Sequence, residues 1–408
     1  MLQAKRDDSL LLIEATSNQV NQFGGYTGRT PQDFVNFVRG IAKAMKTPWE
    51  RVVLGGDHLG PHVWRNTTST AAMEKACELV QAYVRAGFTK IHLDASMPCA
   101  DDGVGRNEPV TDEVVSTRAA ELCAAAESAY RTMPRGAIAP RYVIGTEVPV
   151  PGGEQADSAA PAITRTKNLE RTINLGAEAF RRRGLAEAWK RVIAVVVQPG
   201  VEFGDTALFH YDSRKAKSLS QFCIRRWSGV YEAHSTDFQT PQALRKMVED
   251  HFAILKVGPG LTFAFREAIF ALEAIEREWL GSQPGMALSD VQGILEKAML
   301  ENPTHWKSYY HGNEEQLRFA RRFSYSDRVR YYWPHPKVTE AVDRLCANLM
   351  ASPAPPSLLS QYLPRQGEAV CAGHLANRPG ELIRHKILEV IDHYALACGV
   401  RREDEAAC

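Results

Sequence analysis

Ile193–Val197 reads IAVVV, an apolar run without a polar break, and leads directly into Gln198-Pro199-Gly200-Val201-Glu202. A strand with one wet face alternates polar and apolar side chains. A strand buried on both faces reads as a continuous apolar run, the mark of a parallel sheet covered by helices. The same kind of unit recurs outward from it in both directions. LLIEAT (Leu11–Thr16), RVVLG (Arg51–Gly55), KIHL (Lys90–Leu93) and YVIG (Tyr142–Gly145) precede it, and GVYEA (Gly229–Ala233) and ILKV (Ile254–Val257) follow. Helical stretches fill the intervals over Asp33–Met45, Thr70–Ala86, Asp112–Tyr130, Asn168–Arg183 and Pro241–His251. Thr30-Pro31 and Thr240-Pro241 are helix starts, with a capping hydroxyl followed by a proline whose missing N–H costs nothing there.

Strand and helix repeated seven times predict a parallel α/β sheet with right-handed crossovers, closing as a (β/α)8 TIM barrel. An open doubly wound sheet is the competitor, but no GxGxxG follows any strand. VRYYW (Val329–Trp333) is the expected eighth strand, after a helical insertion over about 284–322. The barrel then occupies 1–335. Residues 336–408 form an appended C-terminal helical segment, with a Pro-rich linker (SPAPPS, Ser352–Ser357) and an amphipathic helix over Gly380–Leu396.

Composition narrows the function. The 408 residues carry 49 Lys plus Arg against 48 Asp plus Glu, a net charge of +1, so no basic face meets nucleic-acid phosphates. Hydrophobic residues at 44% suffice for a core. No apolar stretch reaches the ~20 residues of a membrane span, and the charged N-terminus is no secretory signal. The eight cysteines form no CxxC pair. They read as reduced thiols of a cytoplasmic protein. The expected partner is a small molecule, with neither nucleic acid nor membrane, and self-association into a homo-oligomer.

Barrel chemistry gathers at the carboxyl ends of the strands. There the sequence offers Asn18, Gln19 and Gly25, then Asp57, His58, His92 and Asp94, then Glu147, Glu202, His234, Lys256, Gly258 and Gly260. Two imidazoles and a carboxylate with an open position suit a divalent Lewis acid, so His58, Glu202 and His234 are the expected ligands. His92 and Asp94 are open between ligand, support and core. Asp57 is the expected base and Glu147 a second acid/base. Asn18, Gln19, Gly25, Asp94 and Lys256 are expected to bind substrate. The glycine-rich run Gly24–Thr30 resembles an anion cradle before a helix. Gly258-Pro259-Gly260 is a more familiar phosphate position, to which Arg328 would add a guanidinium. No GxxxxGK[ST] occurs, so a kinase has no phosphate loop. The loops 18–29 and 148–154 are candidate lids.

The strings IEATSNQVNQFGGYTGRTP (13–31), LGGDHLGPHVW (54–64), KIHLDASMPCADD (90–102), IGTEVPVPGGE (144–154), VVVQPGVEFGD (195–205), EAHSTDFQT (232–240) and LKVGPGLTFAFREAIFAL (255–272) resemble the D-tagatose-1,6-bisphosphate aldolase GatZ/KbaZ family. The resemblance spans about residues 10–400. It implies a fold like that of the metal-dependent class II aldolases, with Zn²⁺ as first choice and Mn²⁺ second. Asp57-His58 resembles their Asp-His pair, in which the Asp exchanges the C4 hydroxyl proton and the His binds zinc. His234 resembles a later zinc ligand, and Glu202 stands in for another. Related members are ketose 4-epimerases. The expectation is therefore a metal-dependent isomerase that interconverts D-tagatose and D-fructose, or their 6-phosphates, by retro-aldol chemistry. The alternative is a non-catalytic, stabilising subunit of a class II D-tagatose-1,6-bisphosphate aldolase.

Overall fold

The computed structural model describes residues 1–105, 108–147 and 161–400. The loop 148–154, a lid candidate, lies outside the described residues. Seven parallel strands form one curled sheet in chain order: β1 (Leu11–Thr16), β2 (Val52–Leu59), β3 (Lys90–Leu93), β4 (Arg141–Ile144), β5 (Val192–Val196), then β8 (Val230–Ala233) and β9 (Phe252–Leu255). Between β5 and β8, β6 (Glu202–Phe203) and β7 (Leu208–Phe209) make a separate antiparallel hairpin. The crossover helices start where hydroxyls can cap them. Thr30 closes a capping box with Asp33, and Thr68, Thr111 and Thr240 accept from the third residue onward.

The expected eighth strand is not one. Arg328–Tyr331 is a 3-10 turn, entered through Asp327 at φ 46 and closed by Arg330 N–H donating to the Asp327 carbonyl at 3.1 Å. The aromatic run favours a strand, but the turn sends Tyr332 to donate to the Asn302 carbonyl instead. Seven strands therefore make a curled parallel sheet rather than a demonstrated closed barrel. β1 and β9 are the two ends of that sheet, and exposed Leu12 lies on β1.

The helix Pro259–Leu280 ties the sheet to a helical layer. Its Ile269, Leu272 and Ile275 pack with Val291 from the 284–322 segment and with Leu345, Leu349 and Leu382 from the chain after 336. Leu295, Trp306 and Val338 build an adjoining core. The Pro-rich stretch is not an open linker, since Ala354 is buried and Pro356 begins a helix. The last helix, Pro379–Ala397, returns to the sheet, where Tyr394 Oη donates to the Thr236 carbonyl at 2.8 Å.

Candidate metal centre

Side chains two apart on a strand share a face. Lys90 and His92 on β3 therefore point the same way, as do Glu232 on β8 and His234 just beyond it. All four are buried, with Asp57 of β2 beside them. One ligand atom each from Asp57, His92, Glu232 and His234 lies within 4.8 Å of the others. His92 Nδ1 stands 2.8 Å from Asp57 Oδ1, and His234 Nε2 stands 3.0 Å from Glu232 Oε1. Beneath them Lys90 Nζ lies 2.6 Å from Glu14 Oε1 and also meets Glu232 Oε2. Lys256 Nζ contacts Glu14 and lies 2.9 Å from Asp57 Oδ2. Gly55 makes room for Glu14: a Cβ there would sit 2.5 Å from its Oε1.

The donors fit a divalent cation. Imidazole and carboxylate ligands suit Zn²⁺ or Mn²⁺. His92 Nε2 is buried without a hydrogen-bond partner among the described residues, while Glu232 Oε2 is paired with Lys90 Nζ. The carboxylates of Glu14, Asp57, Asp94 and Glu232 face the ammonium groups of Lys90 and Lys256 and the imidazolium of His58, which leaves one positive charge wanting. Burial pushes the Lys256 ammonium down against the carboxylates it touches, which enlarges that deficit. Burial alone would also raise the Asp57 carboxyl, but His58, His234 and His92 hold it well below the ordinary carboxylate range. Asp57 is thus an ionised carboxylate facing a cavity of about 1310 Å³, whose walls include Asn18, Gln19, His58, His234, Lys256, Gly258 and Arg328.

His58 stands next to the converging atoms but outside their group. Its Nδ1 is 2.7 Å from Asp94 Oδ2, and Ser96 holds the other Asp94 oxygen. Burial disfavours its imidazolium, yet Asp57 and Asp94 outweigh burial and raise its pKa to about 9. In this arrangement His58 is a cation beside the site, held in a φ of 49°. Glu202 is also outside the group. It sits on the β6–β7 hairpin, and its Oε1 accepts from Phe203 N–H at 3.0 Å. Glu147 is clamped away from the cluster by Thr164 Oγ1 and Asn168 Nδ2, at 2.6 and 2.7 Å.

The glycine-rich run is not an anion cradle. Asn21 Oδ1 accepts from Phe23 and Gly25 N–H, and Tyr26 N–H donates to the Asn18 carbonyl. At the other turn, Gly258 and Gly260 N–H donate to Asp237 Oδ1 at 2.8 and 2.7 Å. Arg328 stacks on Tyr309 and donates from Nη1 to the His305 carbonyl. Sequence reasoning gave no site role to Glu14, Lys90, Glu232 or Asp237. The period of two along VYEAH and KIHL was the available signal for Glu232 and Lys90.

A family model described as D-tagatose-1,6-bisphosphate aldolase subunit GatZ/KbaZ-like matches residues 1–399. The D-tagatose-1,6-bisphosphate aldolase subunit GatZ of Escherichia coli O1:K1 is 50% identical over 388 residues, 95% of this chain and 90% of that protein. Its counterpart from Salmonella paratyphi B is 51% identical over 391 residues, 96% of this chain and 90% of that protein. A crystal structure from Sinorhizobium meliloti 1021, described as a "probable tagatose 6 phosphate kinase", superposes with a TM-score of 0.87 at 43% identity, covering 98% of this chain and 96% of that one. These relatives overturn the expected isomerase. Curated proteins that share half of the residues over nearly the whole chain carry the name of an aldolase subunit, not of a 4-epimerase. Among the described residues no helix is long and apolar enough to cross a membrane. The chain belongs to the GatZ/KbaZ-like family of D-tagatose-1,6-bisphosphate aldolase subunits.

Proposed function

We propose that this chain is the GatZ-type subunit of a D-tagatose-1,6-bisphosphate aldolase, assembling with and stabilising a class II aldolase chain. The observation that carries this reading is the 50% identity to the GatZ subunit over 95% of the chain. The subunit holds its own divalent cation, Zn²⁺ first and Mn²⁺ second, on Asp57, His92, Glu232 and His234. The ion would supply Lewis acidity toward sugar oxygens. Lys90 keeps Glu232 ionised and aimed at His234. His58 keeps Asp57 ionised, as an acceptor for a hydroxyl proton of a sugar in the cavity.

The test is co-expression with the class II aldolase chain of the same organism. A complex that co-elutes and prolongs the half-life of tagatose-bisphosphate cleavage is the expected result. A folded chain that neither co-elutes nor changes that half-life overturns the reading. Metal content of the isolated chain tests the cation separately.

A further inference from the structure

In an α/β barrel the turns after the last strands and the start of the next helix are the usual place for a ligand's phosphate, because free N–H groups and the helix dipole meet there. Here that position is the start of the helix Pro259–Leu280. Its amides are already taken. Asp237 Oδ1 accepts from both Gly258 and Gly260 N–H, at 2.8 and 2.7 Å, and the residue is 3% exposed. Gly260 permits the approach, since a Cβ there would stand 3.1 Å from that same oxygen. Asp237 is delivered by a loop that holds Ser235 and Phe238 at φ 53 and 62, a backbone cost sustained only where surroundings enforce it. A second internal carboxylate serves the other side of the same first turn. Asp327 accepts from Thr262 Oγ1 at 2.6 Å and from Arg266 Nε at 3.1 Å.

The structure assigns Asp237 a specificity-determining role: its carboxylate is a built-in anion that fills the cradle, so the cavity takes a sugar whose end at this turn is an uncharged hydroxyl and rejects a phosphorylated one. A phosphate there would lose both amides and meet a buried carboxylate of its own sign. This deepens the subunit reading, because recognition of the bisphosphate then falls to the aldolase partner. That reading stands on assembly, which a phosphate titration leaves untouched, so the two fail separately.

The experiment is calorimetric titration of the isolated chain with inorganic phosphate, for wild type, Asp237→Gly and Asp237→Asn. Asp237→Gly frees two amides and is expected to bind phosphate at least roughly tenfold more tightly than wild type. Asp237→Asn keeps an oxygen on both amides but removes the charge, and is expected to fall between wild type and Asp237→Gly. Equal affinity of wild type and a folded Asp237→Gly overturns the assignment. If the glycine variant does not fold, the wild type still decides. Gly258 and Gly260 amide resonances that stay in place as phosphate is added support the filled cradle, and resonances that shift overturn it.

Discussion

Two polar regions share one cavity, and they are finished to different degrees. Around Asp57 the donors converge, yet His92 Nε2 lacks a partner among the described residues and the charges do not balance. At the start of the helix Pro259–Leu280 both amides are paired, and the buried carboxylate of Asp237 does the pairing. Buried polar groups are normally satisfied, so unmet ones mark where something binds. We read the first region as able to hold a cation and the second as closed against an anion. Both face the same cavity of about 1310 Å³.

The hardest way to break this contrast is to remove the charge beneath the first region. Lys90→Met leaves Glu14 and Glu232 buried without their shared ammonium. We expect a loss of about 3–5 kcal/mol, the usual cost of stranding a buried charge. Thermal unfolding should show it, and saturating Zn²⁺ should restore part of it by mass action. A melting temperature that does not move would mean that Lys90 balances nothing.

Asp237→Asn probes the second region, and its sign is opposite. Burial outweighs the two amides and raises the Asp237 pKa to about 6, against about 3.9 for an unfolded aspartate. Below pH ~4 both states are protonated and the carboxyl costs nothing. Between ~4 and ~6 only the unfolded chain has released the proton, so stability falls as pH rises, and above ~6 the loss is complete. Asparagine removes that cost. We expect it to be more stable than wild type by up to about 3 kcal/mol at pH 7, with the gap closing by pH ~4. Denaturant melts at several pH values measure it, and a gap that is flat with pH refutes the charge argument.

His234→Ala returns to the first region and should weaken Zn²⁺ binding about 100-fold or more, read by chelator competition. His58→Ala should cost less, because His58 pairs with Asp94 outside the converging group. Equal losses would restore His58 to the ligand set that the sequence suggested. The sequence made the strands legible because burial on both faces writes continuous apolar runs, and Leu11–Thr16 was read with the bounds observed. Asp57 and His234 were legible as polar residues at strand ends. Glu202 misled because it follows β5 in sequence but leaves the sheet on a hairpin of its own. Lys90 reads as a strand-start lysine away from the catalytic end until the curl of the sheet brings Glu14 and Glu232 around it. Asp237 is legible as a polar residue after a strand, but its pairing is not, since it and the amides it accepts from are 21 and 23 residues apart and meet only in the folded chain.

The smallest effect joins the regions to the far end of the chain. Tyr394 lies on the last helix, yet its Oη donates to the Thr236 carbonyl at 2.8 Å, one residue before Asp237. Thr236 Oγ1 is held in turn by the Lys256 carbonyl at 2.8 Å. One tyrosine hydroxyl therefore braces the loop that carries both His234 and Asp237. Tyr394→Phe should cost only about 1 kcal/mol, since one hydrogen bond is lost and the ring stays packed. Its signature is in what moves with it. If the helix merely caps the cavity, Zn²⁺ affinity and phosphate exclusion are unchanged. If it braces the loop, the Gly258 and Gly260 amide resonances shift in Tyr394→Phe without added ligand, and phosphate begins to bind. The second result is expected, because Asp237 is held in the cradle by a strained loop whose carbonyl loses its donor.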